Sequence, residues 1–441
     1  MEQRRKNLTQ LFIPICLETL LYMLSGMVDT LMLSSVNDQA VGAVGTANTY
    51  IGIFIIMFSV ISSGMVAVMT QNIGAGRPGV AYQARQLGLT FNAVLGIIVS
   101  LILTFGAGAI LAGVGVADAL MQPARTYLQI VGGFCILNAL IPICSSYLRA
   151  FGFSKEPLYA SIIGNVINFC LNAFFLFVLH KGVAGVDTAT VISRIINLVI
   201  VVLLGAVLVK AKQHPERESN RAVMGQIIRI GLPSACETAI YNVSMTLVIR
   251  FLNQMDAQGL NVTARSYTMQ ITNFSYCVGA ALAQANAIMT GWHIGAKEYD
   301  ACDRGTKKAA VIGVIVAVIL ETVFTLCSGW IMQLFSKDPQ MVSLVGKLLA
   351  IDIVLEIGRV TNLVYGQALK TSGDAVFPVV MGACFMILCS VGGTYLFGIR
   401  LGLLAVGAYI GMTGDECVRA VGMYLRWKSG KWKEKGLVKS R

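Results

Sequence analysis

The sequence predicts an all-α polytopic membrane protein: twelve transmembrane helices in two six-helix lobes, related by a parallel internal repeat. Three observations predict it. Of the 441 residues, 56% are hydrophobic and only 13% are charged, and the mean hydropathy is +0.72, outside the balance of soluble globular chains. Apolar runs of membrane-spanning length recur along the whole chain. Three motifs occur twice, half a chain apart.

Each apolar run is long enough for the roughly 20 residues that a helix needs to cross the hydrocarbon of a bilayer. Because unpaired backbone groups are not tolerated there, each run is expected to be helical. The runs cover residues 11–35, 46–71, 88–116, 126–149, 157–179, 185–210, 227–252, 266–291, 308–334, 342–369, 376–397 and 402–426.

The repeat pairs the first six runs with the last six. The motif P-x-x-x-E-T-x-x-Y-x-x-S begins at Pro14 and again at Pro233. The motifs I-G-A-[G/K] and L-[R/K]-x-x-G-x-x-x-x-P follow the second and fourth runs of each half; they begin at Ile73 and Ile294, and at Leu148 and Leu369. Because six spans are an even number, both copies have the same orientation, as in parallel repeats about an axis along the membrane normal.

The most polar internal stretch, KAKQHPERESNR, lies between the two copies. The predicted organisation is therefore an N-terminal lobe at 1–209, a cytoplasmic linker at 210–226, a C-terminal lobe at 227–427 and a basic cytoplasmic tail at 428–441.

The formal net charge of +12 is explained by the side of the membrane on which the lysines and arginines lie. With a cytoplasmic N-terminus, 24 of the 34 fall on the cytoplasmic side and 7 on the outer side. This asymmetry is the positive-inside rule, and it predicts a multi-pass protein of the cell (inner) membrane with both termini in the cytoplasm. Nucleic-acid binding is not needed to explain the charge.

The duplication separates residues that build a lobe from residues that serve one site. Glu18 recurs as Glu237, whereas the position of Asp29 is occupied by Val248 in the second half. The shared glutamate is thus expected to help build the lobe. Inserting a carboxylate at the centre of a membrane span costs about 2.5 to 3.5 kcal/mol on insertion scales, so an acid in such a place is a candidate functional residue. Asp29 is the predicted coupling residue, which binds a cation from one side and releases it to the other.

These motifs, together with V-D-T at residues 28–30, resemble the multidrug and toxic compound extrusion (MATE) family of cation-coupled antiporters, of the bacterial type. The resemblance covers nearly the whole chain in both halves. It implies twelve helices in two lobes, and export of amphipathic, often cationic organic compounds in exchange for inward H⁺ or Na⁺ by alternating access of the lobes.

The resemblance also implies a cation site in the N-terminal lobe. It joins the first-helix aspartate to an asparagine and an aspartate on helix five and to a threonine on helix six. Here Asp29, Asn168 and Thr190 match that pattern, and Asn172 replaces the second acid, which leaves one formal negative charge where two are common. Asn168 and Asn172 share a helix face, so their side-chain carbonyls could orient Asp29 or coordinate Na⁺. Plain hydrogen bonding between helices is the alternative.

The tenth span has a polar face of its own, with Asp352, Glu356 and Arg359 at helical spacing. Two interpretations remain open. Glu356 and Arg359 neutralise each other, or Glu356 takes part in coupling with Glu237 as its partner, since acids on helices seven and ten do so in other branches of the family. Glu237, Glu356 and Arg359 are therefore secondary candidates.

Four further residues are candidates for the wall of a substrate cavity: Tyr22, Met27, Tyr241 and Met245. Aromatic rings stack on organic cations and methionine adapts to their shape. Ordinary helix packing is the simpler explanation for any one of them.

Two other function classes are weighed against an antiporter. A flippase for a lipid-linked oligosaccharide or cell-wall precursor is the nearest alternative, although related flippases often have fourteen spans and a strongly basic cavity. An integral membrane enzyme is disfavoured, because only three histidines are present and no H-E-x-x-H or G-x-S-x-G motif occurs. The sequence therefore predicts a monomeric transporter of small organic cations, in contact with the lipid bilayer, with no cofactor besides the transported H⁺ or Na⁺.

Overall fold

The computed structural model describes the chain from residue 6 to residue 438, except for residues 35–37, 114–115, 117, 211–213, 257 and 334. The outermost residues of the predicted N-terminal lobe and of the basic tail lie outside the described part. The described residues are almost entirely helical, with no strand among them, so the predicted all-α class is confirmed.

The first half of the chain forms six consecutive spans. The fourth span is broken, since its two α-helices flank a π-helical segment at Leu128–Gly132. The α-helices are α1 (Leu8–Ser34), α2 (Asp38–Gly74), α3 (Pro78–Gly113), α4 (Asp118–Tyr127), α5 (Ile136–Ala150), α6 (Lys155–Ala173) and α7 (Gly182–Leu208).

The second half repeats this order of spans. Its ninth span consists of a long helix and a short one, and its eleventh continues from an α-helix into π-helical segments. The α-helices are α8 (Asn220–Met255), α9 (Leu260–Gly295), α10 (Tyr299–Leu326), α11 (Ser328–Met332), α12 (Pro339–Ser372), α13 (Val376–Phe385) and α14 (Leu404–Lys428). A short 3-10 helix follows at Lys431–Glu434.

Within the described residues, each of the twelve predicted apolar runs coincides with one helix or with consecutive helical segments. In the described part of the chain, seven helices are long and apolar enough to cross a membrane, or eight if the pair α4 and α5, bent by 43°, forms one span. The other four spans are α8, α9, α12 and α14, whose sequences contain more polar or charged residues. Most of the buried charged side chains among the described residues also lie in the second half.

Contacts divide the chain into two compact units, unit 1 (Met1–Leu232) and unit 2 (Pro233–Arg441). The division falls inside α8, immediately before its internal proline. Each unit has its own buried apolar cluster, one around Leu103 and Leu128 and the other around Val248 and Leu348.

The repeated motifs adopt matching backbone turns. Gly76 and Lys297, at equivalent positions of the I-G-A-[G/K] turns, have φ angles of +73° and +61°. The glycines of the two L-[R/K]-x-x-G motifs, Gly152 and Gly373, have φ angles of +86° and +100°. Such angles favour glycine because it has no Cβ. The sequence repeat is thus also a repeat of local structure, and Lys297 adopts at its turn the conformation that glycine supplies in the first half.

The duplicated glutamates form equivalent ion pairs. Glu18 on α1 lies 2.6 Å from the guanidinium of Arg149 on α5, and Glu237 on α8 lies 2.6 Å from Nζ of Lys370 on α12. Arg149 and Lys370 are the basic residues of the two L-[R/K]-x-x-G motifs. Each pair joins the first span of its half to the fourth, which supports the interpretation that the shared glutamate helps to build the lobe.

Glu237→Gln is expected to lower the free energy of unfolding by about 3 kcal/mol, the lower end of the cost of removing one partner of a buried ion pair. Both partners retain slight exposure, 13% for Lys370 and 14% for Glu237. Thermal unfolding of the purified protein in detergent measures the change. The double variant Glu237→Gln/Lys370→Met should recover much of the loss, because it leaves no charge unpaired. Unchanged stability combined with lost ion coupling would instead assign Glu237 to the transport mechanism.

Candidate functional site

Helices α1, α6 and α7 bring together the four residues predicted for cation coupling. The side-chain amide of Asn172 donates to Oδ1 of Asp29 at 2.6 Å and to Oδ1 of Asn168 at 3.2 Å. The amide of Asn168 donates to Oγ1 of Thr190 at 3.4 Å. One chain of hydrogen bonds therefore connects three spans of unit 1.

The local sequence explains this arrangement. Asn168 and Asn172 are one helical turn apart, so they point from the same face of α6, and both are buried. A Cβ added at Gly164, one turn earlier, would lie 3.5 Å from the backbone oxygen of Ser193 on α7, which shows how closely α6 approaches α7. Thr190 donates its hydroxyl proton to the backbone oxygen of Val186 at 3.0 Å, so its oxygen is free to accept from Asn168.

A further acid, Asp187, belongs to this site and was missed by sequence reasoning. It lies three residues before Thr190 on α7, on the same helix face, and it is fully buried. Its charge interacts with that of Asp29. The four residues of the family pattern carry one formal negative charge, as the sequence indicates, and the structure adds a second buried carboxylate on α7 that interacts with Asp29. An acid inside an apolar run, one turn from a predicted ligand, was the signal available in the sequence.

Several oxygen atoms of the site have no hydrogen-bond partner among the described residues. They are both carboxylate oxygens of Asp187 and Oδ1 of Asn172. Buried oxygen atoms without partners are costly, and carboxylate and amide oxygens are suitable ligands for hard cations. The site is thus able to bind a proton on a carboxylate or a small cation among these oxygens.

One basic residue of α7 interacts with Asp29. Arg194, one turn after Thr190 on α7, donates to Oδ1 of Asn138 on α5 at 3.0 Å, and its charge attracts that of Asp29. Two carboxylates against one guanidinium leave a formal charge of −1, which favours cation binding.

Unit 2 has no counterpart of this site at the equivalent positions. Val248, in the place of Asp29, lies in the apolar cluster of unit 2. Cys389 and Gly393, in the places of Asn168 and Asn172, belong to the π-helical region of the eleventh span. The unit 1 site is therefore an addition to the repeated fold and not a requirement of it.

The secondary candidates in unit 2 lie in two different places. Glu237 pairs with Lys370, as described above. Glu356 and Arg359 form an ion pair with each other, as the first of the two interpretations from the sequence expects, and the Nε of Arg359 also lies 3.7 Å from Glu416 on α14.

The predicted cavity residues lie in both units. Tyr241 and Met245 line a cavity of about 220 Å³ within unit 2, together with Asp352, Arg359, Asp415 and Glu416. The other two, Tyr22 and Met27, lie on an exposed face of α1, with 70% and 46% of their surface accessible. The cavity combines aromatic and thioether walls with several carboxylates.

Comparison with known proteins agrees with the fold. The MatE family model matches residues 14–174 and 233–396, one match in each half. The chain is a multi-pass membrane transporter, with twelve transmembrane helices in two lobes, and not an enzyme. It belongs to the MatE family, and the resemblance found in the sequence is confirmed.

Similar proteins extend over nearly the whole chain. "Uncharacterized transporter YisQ" of Bacillus subtilis (strain 168) is 33% identical over 431 residues, covering 96% of this chain and 94% of that protein. "Probable multidrug resistance protein NorM" of Thermotoga maritima is 22% identical over 446 residues, covering 98% and 94%. A solved structure described as "Crystal structure of MATE in the bent conformation" has a TM-score of 0.88 at 18% identity, with 97% of this chain and 96% of that one covered.

Proposed function

We propose that this protein is a secondary active antiporter, which exports amphipathic, cationic organic compounds across the cell membrane in exchange for H⁺ or Na⁺. The observation that carries the proposal is the hydrogen-bonded arrangement of Asp29, Asn172, Asn168 and Thr190 inside unit 1. The protein acts as a monomer with both termini in the cytoplasm. A relative named as a probable multidrug resistance protein supports the export of drug-like compounds.

The hydrogen bond between Asn172 and Asp29 suggests how ion binding changes the interaction between helices. A bond from an amide to an ionised carboxylate is stronger than one to a neutral group. When Asp29 takes up a proton or shares its charge with Na⁺, this bond between α1 and α6 weakens. A local change of charge can thereby shift the equilibrium between two arrangements of the packed helices, as alternating access requires.

The cavity of unit 2 suits an amphipathic cation. Tyr241 and Met245 offer an apolar, adaptable wall, and Asp352 and Glu416 supply negative charge at the same cavity. Aromatic faces attract organic cations, and methionine adapts to irregular shapes. A cavity with more acids than bases is less suited to the diphosphate of a lipid-linked precursor, which favours the antiporter over the flippase.

The test is transport of ethidium, a lipophilic cation, into proteoliposomes that contain DNA, where its fluorescence rises on accumulation. An outward H⁺ gradient and an outward Na⁺ gradient are imposed separately. We expect one of them to drive accumulation well above that of protein-free vesicles, and the effective gradient identifies the coupling ion. Accumulation that responds to neither gradient, for ethidium and for other organic cations, would contradict antiport and leave the flippase as the better explanation.

A further inference from the structure

One buried arginine at the cavity of unit 2 has no acidic partner among the described residues. Arg265 on α9 lines the cavity of about 220 Å³, and only 5% of its surface is exposed. Its Nε is buried and makes no hydrogen bond with the described residues. One of its terminal nitrogens donates to Sδ of Met245 at 3.7 Å, and a thioether sulfur is a weak acceptor. Since a guanidinium group is always charged and has five N–H donors, most of the binding capacity of Arg265 is unused.

Two other arginines at or beside this cavity are already paired. Each forms its ion pairs with buried acids, namely Arg359 with Glu356, and Arg419 with Asp415 and Glu416. Arg265 differs from both, because it forms no ion pair in the described part of the chain. A buried charge without a partner is costly to the fold. A guanidinium group that remains in this state at a cavity therefore indicates that its partner belongs to a ligand.

The donor arrangement of arginine favours a carboxylate as that partner. Its planar guanidinium group presents two parallel N–H groups, which match the two oxygens of a carboxylate and form a bidentate, charge-assisted pair. The apolar wall around the cavity, which includes Met245, Tyr409 and Met412, lowers the competition from water and so strengthens such a pair.

The acids around the cavity determine which kind of molecule can carry the carboxylate. Glu321, a fully buried acid of α10, lies beside Asp352 and Glu356. With Asp415 and Glu416, these make five acids against three arginines, which leaves a formal charge of −2. This excess repels a simple anion. It attracts a molecule that carries a cationic group as well as a carboxylate, because each group then meets a charge of opposite sign.

We propose that Arg265 binds a carboxylate of the transported compound, and that the protein therefore prefers zwitterionic organic compounds to simple cations of the same shape. This inference rests on the proposed function, because it concerns the substrate of the same cavity. A compound without the carboxylate leaves the guanidinium group unpaired when it displaces water from the cavity. A site built to hydrogen-bond one group of its ligand discriminates against an analogue that lacks this group.

The test compares two dyes with the same cationic ring system. Rhodamine 110 carries a free carboxylate, and rhodamine 123 is its methyl ester. Fluorescence anisotropy measures the Kd of each dye for the detergent-purified full chain, without any transport. We expect rhodamine 110 to bind at least about tenfold more tightly, as the gain from a hydrogen bond to a charged group implies. Arg265→Gln should remove this preference by weakening the binding of rhodamine 110, with little change for rhodamine 123.

Arg265→Lys and Arg250→Gln are the companion variants. Lysine keeps the charge but cannot form the bidentate pair, so Arg265→Lys should retain part of the preference. Arg250 is an exposed arginine on α8, and its replacement should leave both affinities unchanged. The comparison of the two dyes on the wild-type protein stands even if Arg265→Gln does not fold.

Equal affinities of the wild-type protein for the two dyes would overturn the inference. An equal loss of both dyes in Arg265→Gln would also overturn it, and would assign Arg265 to the structure of the cavity. Gradient-driven ethidium transport combined with equal dye affinities would contradict this inference alone. Binding of neither dye, together with absence of ethidium transport, would contradict the proposed function as well.

Discussion

Asp29→Asn is expected to reduce gradient-driven ethidium accumulation to the level of protein-free vesicles while leaving the protein folded. Asparagine keeps the size of the side chain and can still hydrogen-bond to Asn172, but it can neither carry the charge nor accept a proton. Since coupling requires a group that binds the ion on one side and releases it on the other, the loss should appear with either gradient. The measurement is the initial rate of ethidium accumulation in DNA-containing proteoliposomes, normalised to the amount of folded protein.

Thr30→Val is the matched control for this prediction. Thr30 is the next residue on α1, is exposed, and bonds to the backbone oxygen of Gly26 on its own helix at 2.9 Å. Its replacement also removes one polar group from the same span, so it controls for that change. Normal gradient-driven transport by Asp29→Asn would show that coupling does not require Asp29, and Asp187 and Glu356 would then be the next acids to replace.

Much of the fold could be predicted because the sequence contains its own repeat. The apolar runs locate the spans, and the matching turns at Gly76 and Lys297 show that the motifs encode local geometry. The ion pair of Glu237 with Lys370 was also within reach of sequence reasoning. Both residues belong to repeated motifs, and so do their counterparts in the first half. A contact between the two motifs could therefore be expected from the sequence.

The charge distribution within the sites could not be predicted in the same way. Asp187 was missed because the family pattern places the second acid on helix five, while its actual position depends on how closely α6 and α7 pack. Glu321 belongs to no motif. Its proximity to Asp352 and Glu356 became visible only in the structure, where α10 packs against α12. Proximity between spans is a property of packing, which one sequence does not reveal.

Asp187→Asn is expected to lower gradient-driven ethidium accumulation at least about tenfold, comparable to the loss of a supporting ligand at other ion sites. The same variant should unfold at a higher temperature or at an unchanged one. Its carboxylate is fully buried and makes no hydrogen bond with the described residues, so replacing it removes an uncompensated charge. A loss of transport without a loss of stability separates a functional role of Asp187 from a structural one, and reconstituted transport and thermal unfolding measure the two effects.

The exchange variant Asn172→Asp/Asp187→Asn tests why the second acid is needed. It returns an acid to α6, the position that the family resemblance implies, and keeps two carboxylates around the same space. If the site needs two negative charges, the exchange should recover a clear part of the transport that Asp187→Asn loses, whereas Asn168→Ala in the Asp187→Asn background should recover none. Full transport by Asp187→Asn alone would instead show that Asp29 couples as a single carboxylate. In that case the buried charge of Asp187 would have no part in ion exchange.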